Sequence, residues 1–205
     1  MNTEKTKVHF TDSYLINPTN PITINVIGAG GTGSKVMTAL LEMNHSLIEL
    51  GHAGLFVRLW DDDVITQANL GRQRFAESET GLCKSVEIAD ILNGLNYDRT
   101  YPNRPRYWLD FGNSQHTGQV LLSTIGTIKQ PNSQKYETVA SLPMVTEEFG
   151  ELLKQSEQED NTPSCSLAEA LEHQDLFINS SLTQMGCSLL WNLFRRGMTE
   201  YKGFF

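Results

Sequence analysis

Residues 22–60, ITINVIGAGGTGSKVMTALLEMNHSLIELGHAGLFVRLW, decide the fold. The run ITINVI is short and β-branched, as suits a buried strand, and it leads straight into GAGGTGS. Beyond it Val36, Leu40, Met43, Leu47 and Leu50 recur at intervals of three and four, which predicts a helix over 34–50 ended by Gly51. LFVRLW then supplies a second strand. Strand, glycine turn, helix and strand make one βαβ unit, so the expected class is α/β with a Rossmann-like, mainly parallel sheet. Gly28, Gly30 and Gly33 match G-x-G-x-x-G between strand and helix, where backbone N–H groups and the helix N-terminus attract phosphate. The competing explanation is a tight turn that binds nothing.

The next stretch, DDDVITQANLGRQRF at 61–75, begins where the second strand ends. Asp61 is placed to accept hydrogen bonds from a ribose hydroxyl. A nicotinamide enzyme accounts for the glycines and Asp61 but gives no role to Asn69, Arg72 and Gln73 in the loop that follows. It also leaves Lys84, which GLCK places at the start of a further helix, without a task. Arg72 offers a planar fork and Lys84 a point charge, and two fixed cations beside a phosphate-binding turn favour a triphosphate over NAD. Taken singly, each is better read as an ordinary surface cation.

Residues 1–21 are polar, broken by Pro18 and Pro21, and read as an N-terminal arm before a single domain at 22–205. RYWLDFGN and GQVLLSTIGTI read as two strands of a C-terminal hairpin. The polar stretch 129–163 is expected to be a mobile loop around a short helix. The apolar run over 167–196 is expected to be two helices or one kinked helix packed on the sheet. With 16 basic and 24 acidic residues the net charge is −8, which gives no basis for gripping nucleic acid. No apolar run approaches the roughly 20 residues needed to cross a bilayer, so a soluble, cytoplasmic protein without a membrane partner is expected. Three cysteines without a C-x-x-C pair suggest reduced thiols rather than disulfides or structural zinc.

Together GAGGTGS, DDDVITQANLGRQRF and GLCK resemble the ThiF/MoeB/HesA family of ubiquitin-activating-enzyme-like adenylating proteins, whose pattern runs G-x-G-G-x-G, D-x-D-x-V, N-L-x-R-Q and G-x-x-K. YWLDFGNSQHTGQVLL and PSCSLAEALEHQDLFINSS further resemble the ThiF branch of the bacterial PRTRC system, found beside a ubiquitin-like protein. The resemblance implies ATP-dependent adenylation, with magnesium, of the C-terminal carboxylate of a ubiquitin-like or sulfur-carrier protein by a homodimer. It implies that Gly28, Gly30, Gly31 and Gly33 cradle the nucleotide and that Asp61 holds the ribose. It places Asn69, Arg72, Gln73 and Lys84 around the phosphates. Some relatives pass the activated carboxylate to a thiol, which makes Cys165 in PSCS a candidate, while Cys187 among Leu182, Leu189 and Leu190 reads as core.

The family's segment between the Lys helix and the next strands, with its magnesium-holding Asp, has no counterpart here, so the chain is shortened in the middle. Asp98 and Asp110 are the nearest acids and neither lies in the expected motif, which leaves the metal ligands unassigned. Two other readings stay open. One is a related nucleotide-binding scaffold or regulatory subunit without activity, and the other is an NAD- or flavin-dependent oxidoreductase.

Overall fold

The computed structural model describes residues 5–70, 73, 75–84, 105–113, 117–151, 154 and 175–200. The fold is mixed α/β, built from small sheets of which one is a parallel pair. That pair is β2 (Ile22–Ile27) and β3 (Leu55–Trp60), joined through α2 (Gly33–Glu49), with Ile22 opposite Leu55 and Ile27 opposite Trp60. Val36, Leu40, Met43 and Leu47 point into the core along one face of α2. Asn44 lies on the same helix and its side-chain oxygen accepts the Leu55 N–H at 2.7 Å, which ties the helix to the start of β3. Helix α2 ends as expected, with Gly51 at a positive φ of 80°.

One expectation for β2 needs correction. ITINVI reads as a strand buried on both faces, but Ile22 and Val26 are buried while Thr23, Asn25 and Ile27 are exposed. The exposed side chains share the face away from α2, so the strand is half-buried and its outer face is polar except at its end.

β4 (Tyr107–Asn113) and β5 (Gly118–Thr124) form the antiparallel hairpin expected from the sequence, with Leu109 opposite Leu122. A long helix, which we number α4 (Ile178–Arg196), packs on this hairpin and also on α2. It ends in Gly197 at φ 68°, with Arg195 and Arg196 in the last turn where cations complement the helix dipole. Within the described residues the C-terminal apolar run is therefore one helix. Residues 167–174 lie outside them.

The arm differs most from expectation. It carries β1 (Lys7–Phe10) and the short helix α1 (Ser13–Ile16), and β1 is the central strand of a second small sheet. On one side β1 pairs in parallel with β6 (Glu137–Thr138), and on the other antiparallel with β7 (Met198–Glu200). The stretch 129–163, expected to be a mobile loop around a short helix, supplies β6, the short helix α3 (Val145–Glu148) and the buried residue Leu142. Residues from α1, β2, α2, β3, β5 and α4 contribute to one hydrophobic core cluster.

A buried polar node locks the second sheet to the hairpin. His9 has no exposed surface; its Nδ1 lies 2.8 Å from the Val139 carbonyl and its Nε2 lies 3.0 Å from the Tyr107 hydroxyl. A neutral imidazole satisfies both contacts if Nδ1–H donates to Val139 and Nε2 accepts the Tyr107 proton. Tyr107 oxygen in turn accepts the Asp12 N–H at 2.9 Å. Burial pulls the His9 pKa below its ordinary 6.5, against the opposing pull of the Val139 hydrogen bond and the Asp12 charge. Burial pushes the Tyr107 hydroxyl up to about 12.

Candidate functional site

The turn from β2 into α2 is shaped by three glycines for three different reasons. Gly28 has φ 91°, a conformation that a side chain disfavours. Gly33 has no room for one, since a Cβ there would lie 1.8 Å from the Gly28 carbonyl oxygen. Gly30 meets neither limit: its φ is not positive and a Cβ would find nothing within 4 Å. Its missing side chain leaves open space that the fold itself does not use.

The turn's backbone donors follow the same division. Gly28 N–H donates to the Trp60 carbonyl at 2.7 Å and Ala29 N–H to Asp61 Oδ2 at 2.5 Å. The N–H groups of Gly30, Gly31, Thr32 and Gly33 have no acceptor among the described residues, whereas the Ser34 N–H already turns back to the Gly30 carbonyl at 3.1 Å. Four successive open amides at the start of a 17-residue helix make a partly positive surface suited to an anion. Thr32 immediately precedes α2 and makes no side-chain cap to it. Its hydroxyl donates instead to Asn179 Oδ1 of α4 at 3.0 Å.

Asp61 stands at this turn, at the end of β3. Its two oxygens each accept one backbone bond, from Ala29 and, at 2.9 Å, from Asp63 N–H. Each oxygen keeps capacity for another donor, so a ribose hydroxyl is still compatible with this geometry.

Lys84 returns to the same place because residues 63–65 and 81–84 run side by side. Ile65 N–H donates to Leu82 oxygen at 2.8 Å, Gly81 N–H to Ile65 oxygen at 2.8 Å, and Lys84 N–H to Asp63 oxygen at 3.1 Å. The Lys84 ammonium is 2.7 Å from Asp63 Oδ2, and the residue is only 6% exposed. Lys84 is thus a buried cation paired with Asp63, which lies two residues along the chain from Asp61, rather than a side chain extended into water. Asp61, Asp62 and Asp63 give the described rim three carboxylates against this one ammonium.

Asn69 and Gln73 differ in how they are held. The Asn69 oxygen accepts from Thr66 N–H at 2.8 Å and from the Thr66 hydroxyl at 3.1 Å, so it serves a local turn over Gln67–Asn69. Only its amide N–H groups remain to reach a ligand. Gln73 is nearly buried, and its side-chain oxygen has no partner among the described residues, a costly state for an amide.

Arg72 and Cys165 lie outside the described residues, as do Asp98 and the helix expected after Lys84. Cys83 is exposed. Cys187 is buried, and burial together with the Glu42 charge pushes its thiol up to about 11, which keeps it inert near neutral pH. Asp110 is a strand residue opposite Leu121. Among the described residues no group of three or more His, Cys, Asp or Glu side chains is arranged to hold a metal ion. No described helix is long and apolar enough to cross a membrane.

Asn179 is the residue that sequence reasoning missed. The FINSS segment containing it reads in sequence only as part of an apolar run and of the C-terminal family resemblance, with no role for Asn179 itself, and its contact with Thr32 joins positions 147 apart. No protein-family model matches the chain, and no curated protein matches it.

Proposed function

We propose that this chain is a Rossmann-like adenylating domain of the ThiF/MoeB/HesA type, which uses ATP to activate the C-terminal carboxylate of a ubiquitin-like or sulfur-carrier protein. The observation that carries the reading is the open side of the glycine turn: space above Gly30 and four amides with no acceptor in the described chain. Phosphate oxygens complement both features. The neighbouring Lys84 adds a desolvated positive charge within the same loop system.

In this reading the turn amides hold the triphosphate while Asp61 orients the ribose. A carboxylate oxygen of the partner protein forms a bond to the α-phosphorus, the bond from that phosphorus to the bridging oxygen breaks, and pyrophosphate leaves with the electron pair. The protein contributes alignment and charge neutralisation rather than a nucleophile of its own. Three carboxylates beside one ammonium make the described rim negative, so a triphosphate entering it calls for more positive charge. Arg72 and the magnesium ion that accompanies ATP are the proposed sources. Gln73, with its unpaired oxygen, and the Asn69 amide complete the set. The proposed second step is attack of the Cys165 thiolate on the acyl carbon, which forms a thioester and releases AMP. The proposed homodimer would use the side of α4 on which Met185 is exposed.

The second reading is a nucleotide-binding scaffold, favoured by the closed ion pair between Lys84 and Asp63. ATP–pyrophosphate exchange separates the two. An adenylating enzyme exchanges label only when a small protein with a free C-terminal carboxylate is present, and Lys84→Met reduces that exchange by about 100-fold or more, as for loss of a charge at a transition state. Binding of ATP without exchange under any partner would leave only the scaffold, and no ATP binding would remove both readings.

A further inference from the structure

We infer that Asn179, in the first turn of α4, is a positioning residue for the glycine turn: it holds the Thr32 hydroxyl and so fixes the place of the adjoining open amides that would meet phosphate. This rests on the nucleotide-binding reading and extends it to an element remote in sequence.

A threonine next to a helix start ordinarily turns its oxygen onto that helix's own N–H groups. Those groups, the Ser34 and Lys35 N–H, already donate to the Gly30 and Thr32 carbonyls, so the Thr32 hydroxyl is available to anchor the turn elsewhere. Here the hydroxyl is directed away, to Asn179 Oδ1 at 3.0 Å, and no cap forms on α2. Asn179 is buried, and the Thr183 hydroxyl donates to its backbone oxygen at 2.8 Å. Helix α4 in turn is pressed against the hairpin at two points where a glycine is required. A Cβ on Gly186 would be 2.3 Å from the Phe111 ring, and one on Gly118 would be 2.6 Å from Leu182. The turn is thus held from two directions, by Asp61 through Ala29 and by α4 through Thr32.

The test measures affinity of the full chain for ATP with magnesium, and for inorganic pyrophosphate, in wild type, Asn179→Ala, Thr32→Val, Thr32→Ser and the Asn179→Ala/Thr32→Val double variant. Loss of one hydrogen bond of ordinary strength predicts that each of the first two binds about fivefold more weakly. The double variant should be no weaker than either single, since both remove the same contact. Thr32→Ser, which keeps the hydroxyl, should recover most of the affinity lost in Thr32→Val. Thermal melting runs in parallel. A lower melting temperature with unchanged affinity of the folded protein would reduce Asn179 to a packing role and overturn the inference, as would fully additive losses. If Asn179→Ala does not fold, the Val and Ser variants at position 32 decide the matter by the same criterion. Wild type that binds neither ligand overturns the nucleotide reading and this inference together, whereas wild type that binds and variants that bind equally overturn the inference alone.

Discussion

The seam between α4 and the β4–β5 hairpin and the turn between β2 and α2 both depend on glycine, yet they treat it differently. At the seam, Gly118 and Gly186 are filled by Leu182 and Phe111, so each missing side chain is replaced by a neighbour. At the turn, Gly33 is filled in the same way by the Gly28 carbonyl, but Gly30 faces nothing. A glycine that a neighbour fills is explained by packing. One that faces empty space beside amides without an acceptor is where we propose that phosphate binds.

Substitution at three of these positions should expose this division. Gly33→Ala should have the largest effect on stability, because its Cβ meets backbone that cannot rotate aside. Urea unfolding should register a loss of about 3 kcal/mol or more, or no folded protein at all. Gly186→Ala presses on a side-chain ring that can shift, so a loss of about 1–3 kcal/mol is expected. A neutral outcome at Gly186 would show that the seam is looser than its distances suggest.

The polar node gives the next effect, and it separates the second sheet from both glycine sites. His9 is held neutral by burial, with its pKa below the ordinary 6.5. Below that value the unfolded chain binds the proton before the folded chain does. The contribution of His9 is therefore fully present above about pH 6.5 and is lost as pH falls through the lowered folded value. The urea midpoint should drop on acidification, and His9→Gln should remove part of that slope. A slope unchanged in the variant would assign the acid sensitivity to other groups.

Gly30→Ala should change stability least, within about 0.5 kcal/mol, since the new methyl meets no atom. It should nevertheless weaken ATP binding, measured by calorimetry, because the methyl enters the space proposed for phosphate. Intact binding in this variant would take away the observation on which the functional proposal stands.

Sequence made the first unit legible almost to the residue. The expected helix over 34–50 is α2 at Gly33–Glu49, and the two flanking strands coincide with Ile22–Ile27 and Leu55–Trp60. The β4–β5 hairpin was legible for the same reason, since its pairing is between neighbours in the chain. What remained hidden was the use of the arm as the centre of a sheet. β1 pairs with strands that begin at Glu137 and Met198, and a four-residue run gives no local sign of partners so distant. The site divides along the same line. Gly28, Gly33 and Asp61 could be placed from their spacing, but not the burial of Lys84 against Asp63 or the capture of the Asn69 oxygen by Thr66.

By itself, the sequence determined the strand–glycine–helix–strand unit and the chemistry that such a turn can support, because periodicity, glycine conformation and backbone donors act over a few residues. Tertiary structure alone decided which of the turn's amides stay open, where the Lys84 charge comes to rest and that Asn179 reaches Thr32. Those outcomes depend on contacts between segments far apart in the chain, whose partners are selected only when the whole core closes.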